Sequence, residues 1–118
     1  MGPGQRELND FELAILRRIA ANHPSLTLQL DEILVLNRTF TGAGSYTEFF
    51  SDSKSERNTK QHFGLDALIQ MPGVDNGMGA DLLCLDGRPK CLEIFTYGGD
   101  RWDGWNDGFS IDGVALDR

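Results

Sequence analysis

Two apolar-rich runs, Ala80–Leu85 and Lys90–Tyr97, stand on either side of the tetrapeptide Asp86-Gly87-Arg88-Pro89. Such runs around such a turn read as a β-hairpin, and a hairpin commits its surroundings to antiparallel pairing. Other segments have the same character. Ile33–Phe40 is rich in β-branched and aromatic residues, which suit a pleated, half-buried surface. Thr41-Gly42-Ala43-Gly44 then offers a tight connection, and Ser45–Phe50 reads as the returning strand. Asp66–Met71 is a further strand, ended by Pro72-Gly73, and Val74–Gly79 reads as a glycine-rich connection. Residues 51–62 hold no apolar side chain and read as a solvated, mobile loop. Phe109–Ile111 and Val114–Leu116 are candidates for a last short strand.

One helix precedes these strands. Asn9 followed by Glu12 forms a capping-box pattern, and Leu8 and Leu13 have the spacing of a hydrophobic staple. Leu8, Phe11, Ile15 and Ile19, with Leu16 and Ala20, recur at helical period. Asn22-His23-Pro24 ends the pattern, because the residue before proline is pushed out of the α region. The expected helix is therefore 10–22. Ser25–Glu32 leads from it into the first strand as a short helix or turn. The absence of alternating strand and helix argues against a parallel α/β sheet. The expected fold is α+β, an N-terminal helix packed on a mostly antiparallel sheet of about five or six strands.

The 118 residues make one domain by length, with 1–8 as a flexible N-terminus and 98–118 as an irregular segment rich in Gly, Asp and Trp. A hydrophobic fraction of 40% and a charged fraction of 25% are ordinary for a globular chain. The net charge is −7, and it is unevenly placed. Residues 1–62 carry seven basic and eight acidic side chains, whereas residues 63–118 carry four and ten. That balance speaks against nucleic acid, whose binding rests on clustered Lys and Arg. No stretch approaches the ~18–20 apolar residues that span a bilayer, and Met1–Glu7 lacks the apolar core of a secretory signal. A cytoplasmic domain with no membrane contact is the expectation.

Register arithmetic on the hairpin, with opposed positions summing to 175, sets Cys84 against Cys91 and Leu82 against Glu93. The two cysteines then read as reduced thiols filling a core. In this register Glu93 shares a face with Leu82, Cys84 and Phe95, which puts its carboxylate at risk of burial. A buried carboxylate must be paired, hydrogen-bonded or shifted in pKa. Arg38 is its natural partner. With Tyr46, these residues outline a pocket on the sheet face for a ligand-binding or enzymatic alternative.

Other constellations fall short of a chemistry. Gly42-Ala43-Gly44 lacks the third glycine of a dinucleotide loop and the Gly-Lys-Ser/Thr of a P-loop. An EF-hand counted from Asp103 places Asp107 and Gly108 correctly, but puts Trp105 at position 3 and Val114 at position 12, where ligands are required. His23 and His62 sit in no ligating pattern. No catalytic residue, metal or cofactor is expected.

Two segments, Thr41-Gly42-Ala43-Gly44-Ser45-Tyr46-Thr47-Glu48-Phe49 and Leu92-Glu93-Ile94-Phe95-Thr96-Tyr97-Gly98-Gly99 followed by Trp102, resemble those of small bacterial proteins of unknown function. Some of those resemble immunity partners of secreted toxins. The likeness spans roughly residues 24–109 and consists of turns and strand ends. It implies a compact bacterial cytoplasmic domain and carries over no active-site residue. The chemistry that remains is Tyr97, Trp102 and Trp105 among Asp100, Asp103 and Asp107. Trp and Tyr are frequent interface anchors, and carboxylates steer a basic partner. The expected function is a non-enzymatic binding module, immunity-like in one version, that takes a basic protein at this C-terminal surface. A homodimer through an open sheet edge is compatible with it.

Overall fold

In the computed structural model, which describes residues 6–26, 28–50 and 59–112, helix α1 runs Asp10–Asn22. Asn9 caps it. The Asn9 side chain accepts from the Glu12 amide (2.8 Å) and the Glu12 carboxylate accepts from the Asn9 amide (2.9 Å), so two otherwise orphaned donors are satisfied. Phe11, Ile15, Leu16 and Ile19 form its buried stripe. Each such side chain contributes roughly 1.5–3 kcal/mol of burial. Leu8 packs against the core, and Arg38 Nη2 donates to the Glu7 carbonyl. After α1, the chain makes one 3₁₀ turn at Leu30–Glu32.

The other regular elements among the described residues form one antiparallel sheet. Its strands are β1 Val35–Phe40, β2 Gly44–Phe49, β3 Lys60–Gly64, β4 Leu68–Met71, β5 Val74–Leu85, β6 Arg88–Thr96 and β7 Ser110–Asp112. They lie in the order β1-β2-β6-β5-β4-β7, with β3 beside β5 as well. The twelve-residue β5 pairs with β4 through its first half and with β3 through its second. One face of the sheet, bearing Val35, Phe49, Ile69, Met78, Leu82, Cys84, Leu92 and Ile94, joins the α1 stripe in a single core. The α+β expectation holds, with seven strands among the described residues in place of five or six.

Three local expectations change. Val74–Gly79 is strand rather than connection, because its glycines solve packing problems. Gly77 has φ +79, and a side chain there would strike that of Leu68. Gly79 lies beneath the rings of Phe95 and Tyr97. Glycine inside a strand marks such bulges and close approaches. Second, Lys60–His62 belongs to β3 and not to a loop; its polar side chains face solvent while its backbone completes the β5 ladder. Ser51–Asn58 and Val114–Leu116 lie outside the described residues.

The third change is the hairpin register. Asp86 and Gly87 both take positive φ (54° and 83°), which makes a two-residue turn that matches strand twist. Leu85 therefore pairs with Arg88 and Cys84 with Pro89, after which a bulge shifts the ladder to Leu83↔Cys91, Leu82↔Leu92 and Asp81↔Glu93. A one-residue slip exchanges the two faces. Cys84 is buried in the core while the half-buried Cys91 lies on the other face, so the expected cross-strand pair does not form. Glu93 likewise shares its face with Asp81 and not with Leu82. Burial pushes the Cys84 thiol up to about 11, which suppresses its reactive thiolate. A thiol reagent at pH 8 is expected to modify Cys91 first, and Cys84 only on unfolding, with two thiols titrated in denaturant. Rapid modification of both in the native state would contradict the slipped register.

One ion pair ties α1 to the approach of β4. Arg18 Nε donates to Asp66 Oδ1 at 2.9 Å, and that hydrogen bond holds the Asp66 carboxyl below its usual range. Its stabilisation is therefore present at neutral pH and is lost as pH falls through the folded-state value.

Candidate functional site

At the end of β6, Gly98 and Gly99, both with positive φ, turn the chain out of the sheet. Asp100 then braces the turn. Its carboxylate accepts from the Asn76 amide at 2.7 Å and from Asn76 Nδ2 at 3.2 Å, and its carbonyl accepts from Thr96 Oγ1 at 2.7 Å. The Trp102 amide donates to the Gly42 carbonyl at 3.0 Å, which fastens the segment to the β1–β2 turn. The Trp102 indole goes inward. It is 5% exposed and sits edge-on to Phe11 and Phe40, with ring centroids 5.9 Å from each.

Trp105 goes the other way and remains 58% exposed, yet its frame is held on three sides. Asp103 Oδ1 accepts from the Trp105 amide at 3.0 Å, the Trp102 indole N–H donates to the Trp105 carbonyl at 2.6 Å, and the Trp105 indole N–H donates to the Asp107 carbonyl at 3.1 Å. Gly104 (φ +97) permits this tight path: a Cβ there would lie 2.8 Å from the Phe40 ring. The buried indole thus sets the position of the exposed one. Beside them lies an open cleft of about 450 Å³, walled by Trp102, Asp103 and Trp105 and by the turn residues Gly42, Pro72 and Gly73. Arg101 contributes the one positive charge in its lining.

The expected C-terminal residues therefore divide. Trp102, Asp103 and Trp105 come together at the cleft. Asp107 supports it through its backbone, Asp100 is committed to Asn76, and Tyr97 stands on the sheet face away from α1, edge-on to Phe95 at 5.5 Å.

The alternative trio does not assemble. Tyr46 and Glu93 are cross-strand neighbours on the sheet face away from α1, where the Glu93 charge and hydrogen bond push the Tyr46 hydroxyl pKa up. Arg38 lies across the sheet from them, toward α1. It donates from Nε and Nη2 to the two carboxylate oxygens of Glu12, both at 2.8 Å. The sheet itself separates the two halves of the expected pocket. Its buried carboxylate is Glu12, whose side chain is 3% exposed and which also accepts from Thr47 Oγ1 at 3.1 Å. The signal for this was available: Glu12 falls four residues after Leu8 and three before Ile15, within the apolar stripe. Pro72 and Gly73 gave no such signal, because only the fold brings their turn beside Trp105.

No family model, curated protein or solved structure matches this chain. A larger hollow of about 540 Å³, between α1 and the Leu28–Leu34 segment, is lined mainly by Leu8, Leu13, Leu28, Leu30 and Ile33. It holds no fixed aromatic. The Trp105 cleft combines a held, exposed ring with a carboxylate, and is the stronger candidate. Among the described residues no three His, Cys, Asp or Glu side chains converge in a way that could hold a metal ion, and no helix is long and apolar enough to cross a membrane.

The outer edge of β1 bears on self-association. Its ladder is irregular between Val35 and Asn37, and Arg38 points its charge inward to Glu12. Bulges and inward-pointing charges on an edge strand oppose pairing with a second sheet.

Proposed function

We propose that this chain is a non-enzymatic binding module that takes a basic protein partner at the Trp102–Asp107 surface. The observation that carries the reading is Trp105. A freely hinged surface indole loses conformational entropy when it is captured, at about 0.5–1.5 kcal/mol for an immobilised side chain. Three hydrogen bonds on its frame lower that cost before any partner arrives. Such pre-ordered aromatic groups are where interface energy concentrates. The charge supports the same reading. Asp103 lines the cleft and the chain after residue 62 is strongly acidic, which accelerates encounter with a positive surface. An immunity-like role, capture of a basic toxin, is one version of this function.

Two substitutions separate the anchor from the field. Trp105→Ala is expected to weaken a basic partner, identified by capture and then purified, by about 30-fold or more, the ~2 kcal/mol of an interface hot spot. Asp103→Asn keeps an acceptor for the Trp105 amide and removes only the charge, so it is expected to slow association at low salt and leave dissociation nearly unchanged. Calorimetry and stopped-flow mixing read the two effects. Full retention of affinity in Trp105→Ala would remove this surface from the function.

A further inference from the structure

The geometry points to a proline-rich segment bearing Arg or Lys, in the polyproline II conformation, as what the Trp105 cleft takes from its partner. This rests on the reading of the cleft as the partner site and narrows it to one class of ligand. Chain segments are commonly recognised by strand addition, by a helix in a groove, or as polyproline II. The cleft disfavours the first two.

Strand addition needs a free ladder of backbone groups. Here the lining is made of turns, at Gly42 and at Pro72-Gly73. The nearest backbone pair is already spent, since the Trp102 amide is bonded to the Gly42 carbonyl. Val74, the first residue of β5, is likewise paired, with Met71.

A helix fails on size. Two turns are ~11 Å long and ~10–12 Å across, whereas the cleft is lined by eight residues drawn from two turns and the Arg101–Trp105 segment. Helix-in-groove binding draws on anchors at i, i+3, i+4 and i+7, spread over two turns or more.

Polyproline II asks for what is present. It has no internal hydrogen bonds, a pre-set backbone and three residues per turn, and it needs flat apolar surfaces in place of a ladder. Trp105 supplies such a surface. Its indole N–H is turned away to the Asp107 carbonyl, which leaves the ring faces for a prolyl ring or a guanidinium. Pro72 adds a second rigid apolar wall. Gly42 and Gly73 keep the lining low: at each, an added Cβ would meet nothing within 4 Å. The exposed carboxylate of Asp103 receives the cation, and Arg101 repels it from its own place in the lining. Together they set which end of the segment carries the charge.

The test uses the full chain and three synthetic peptides of equal length. One repeats Arg-Pro-Pro, one replaces every proline by alanine, and one replaces every arginine by glutamate. Isothermal titration calorimetry follows the titrations, on the unsubstituted chain and on Trp105→Ala alike. The Arg-Pro-Pro peptide is expected to bind saturably and at least about tenfold more tightly than either control, and Trp105→Ala is expected to abolish binding. Equal binding of the proline and alanine peptides, both dependent on Trp105, would overturn the polyproline assignment and leave the basic-partner reading standing. Absence of any response to both basic peptides, or binding unaffected by Trp105→Ala, would overturn both.

Discussion

Arg38→Ala is expected to lower the unfolding free energy by about 3–5 kcal/mol, the usual cost of stranding one member of a buried ion pair. The two partners are not equivalent. Arg38 keeps 22% of its side chain exposed while Glu12 keeps 3%, so an orphaned guanidinium can turn toward water and an orphaned Glu12 carboxylate cannot. Glu12→Gln is accordingly expected to cost less than Arg38→Ala. It retains an acceptor for the Asn9 amide, and with it half of the capping box. Combining Glu12→Gln with Arg38→Ala is expected to recover part of the loss, since no buried charge then lacks a partner. Urea unfolding followed by circular dichroism measures all three. A loss below about 1 kcal/mol for Arg38→Ala would mean that the pair behaves as an ordinary exposed salt bridge.

Trp102→Ala is expected to be at least as damaging, at roughly 3–5 kcal/mol for the cavity left by a buried aromatic side chain. The ring lies between Phe11 of α1 and Phe40 of β1, so its removal opens the core where helix, sheet and C-terminal segment meet. A second variant separates stability from function. Trp102→Phe keeps an aromatic ring in that space and removes only the indole N–H that holds the Trp105 carbonyl. A single hydrogen bond is worth about 0.5–1.5 kcal/mol, so this variant is expected to fold. The heteronuclear NOE of the Trp105 indole N–H is expected to fall as the loop gains freedom. An unchanged value would show that Asp103 and Asp107 suffice to hold Trp105, and that Trp102 is a core residue with no positioning role.

How far the sequence reaches depends on the range of the interaction involved. The helix at Asp10–Asn22 was legible to the residue because its cap, staple and stripe are all patterns among residues no more than five positions apart. The antiparallel character followed from turns, which are also local. Lys60–Gly64 was illegible for the opposite reason. Nothing in its own composition favours a strand, and it forms one because the second half of β5 has a ladder to complete. The hairpin register failed twice: the turn closes at Asp86-Gly87, so Leu85 pairs with Arg88 in place of Lys90, and beyond it lies a single bulge, invisible to arithmetic that assumes equal numbers of residues on both strands. That one position moved Cys91 and Glu93 to the other face, and with them the expected pocket.

The candidate site divides in the same way. Trp102, Trp105 and their aspartates stand out in the sequence because two indoles within four residues, among glycines and carboxylates, have no periodic role. The sequence could not say which indole is buried. Both have the same chemistry, and the choice rests on Phe11 and Phe40, which stand 91 and 62 residues before Trp102 in the chain. By itself, then, the sequence determined the helix, the antiparallel sheet and an acidic, aromatic C-terminal end, because each follows from neighbours along the chain. The tertiary structure alone decided that Glu12 and not Glu93 is the buried carboxylate, and that Trp105 faces solvent over Pro72. Those outcomes depend on which faces meet across the sheet, and a one-residue bulge is enough to exchange them.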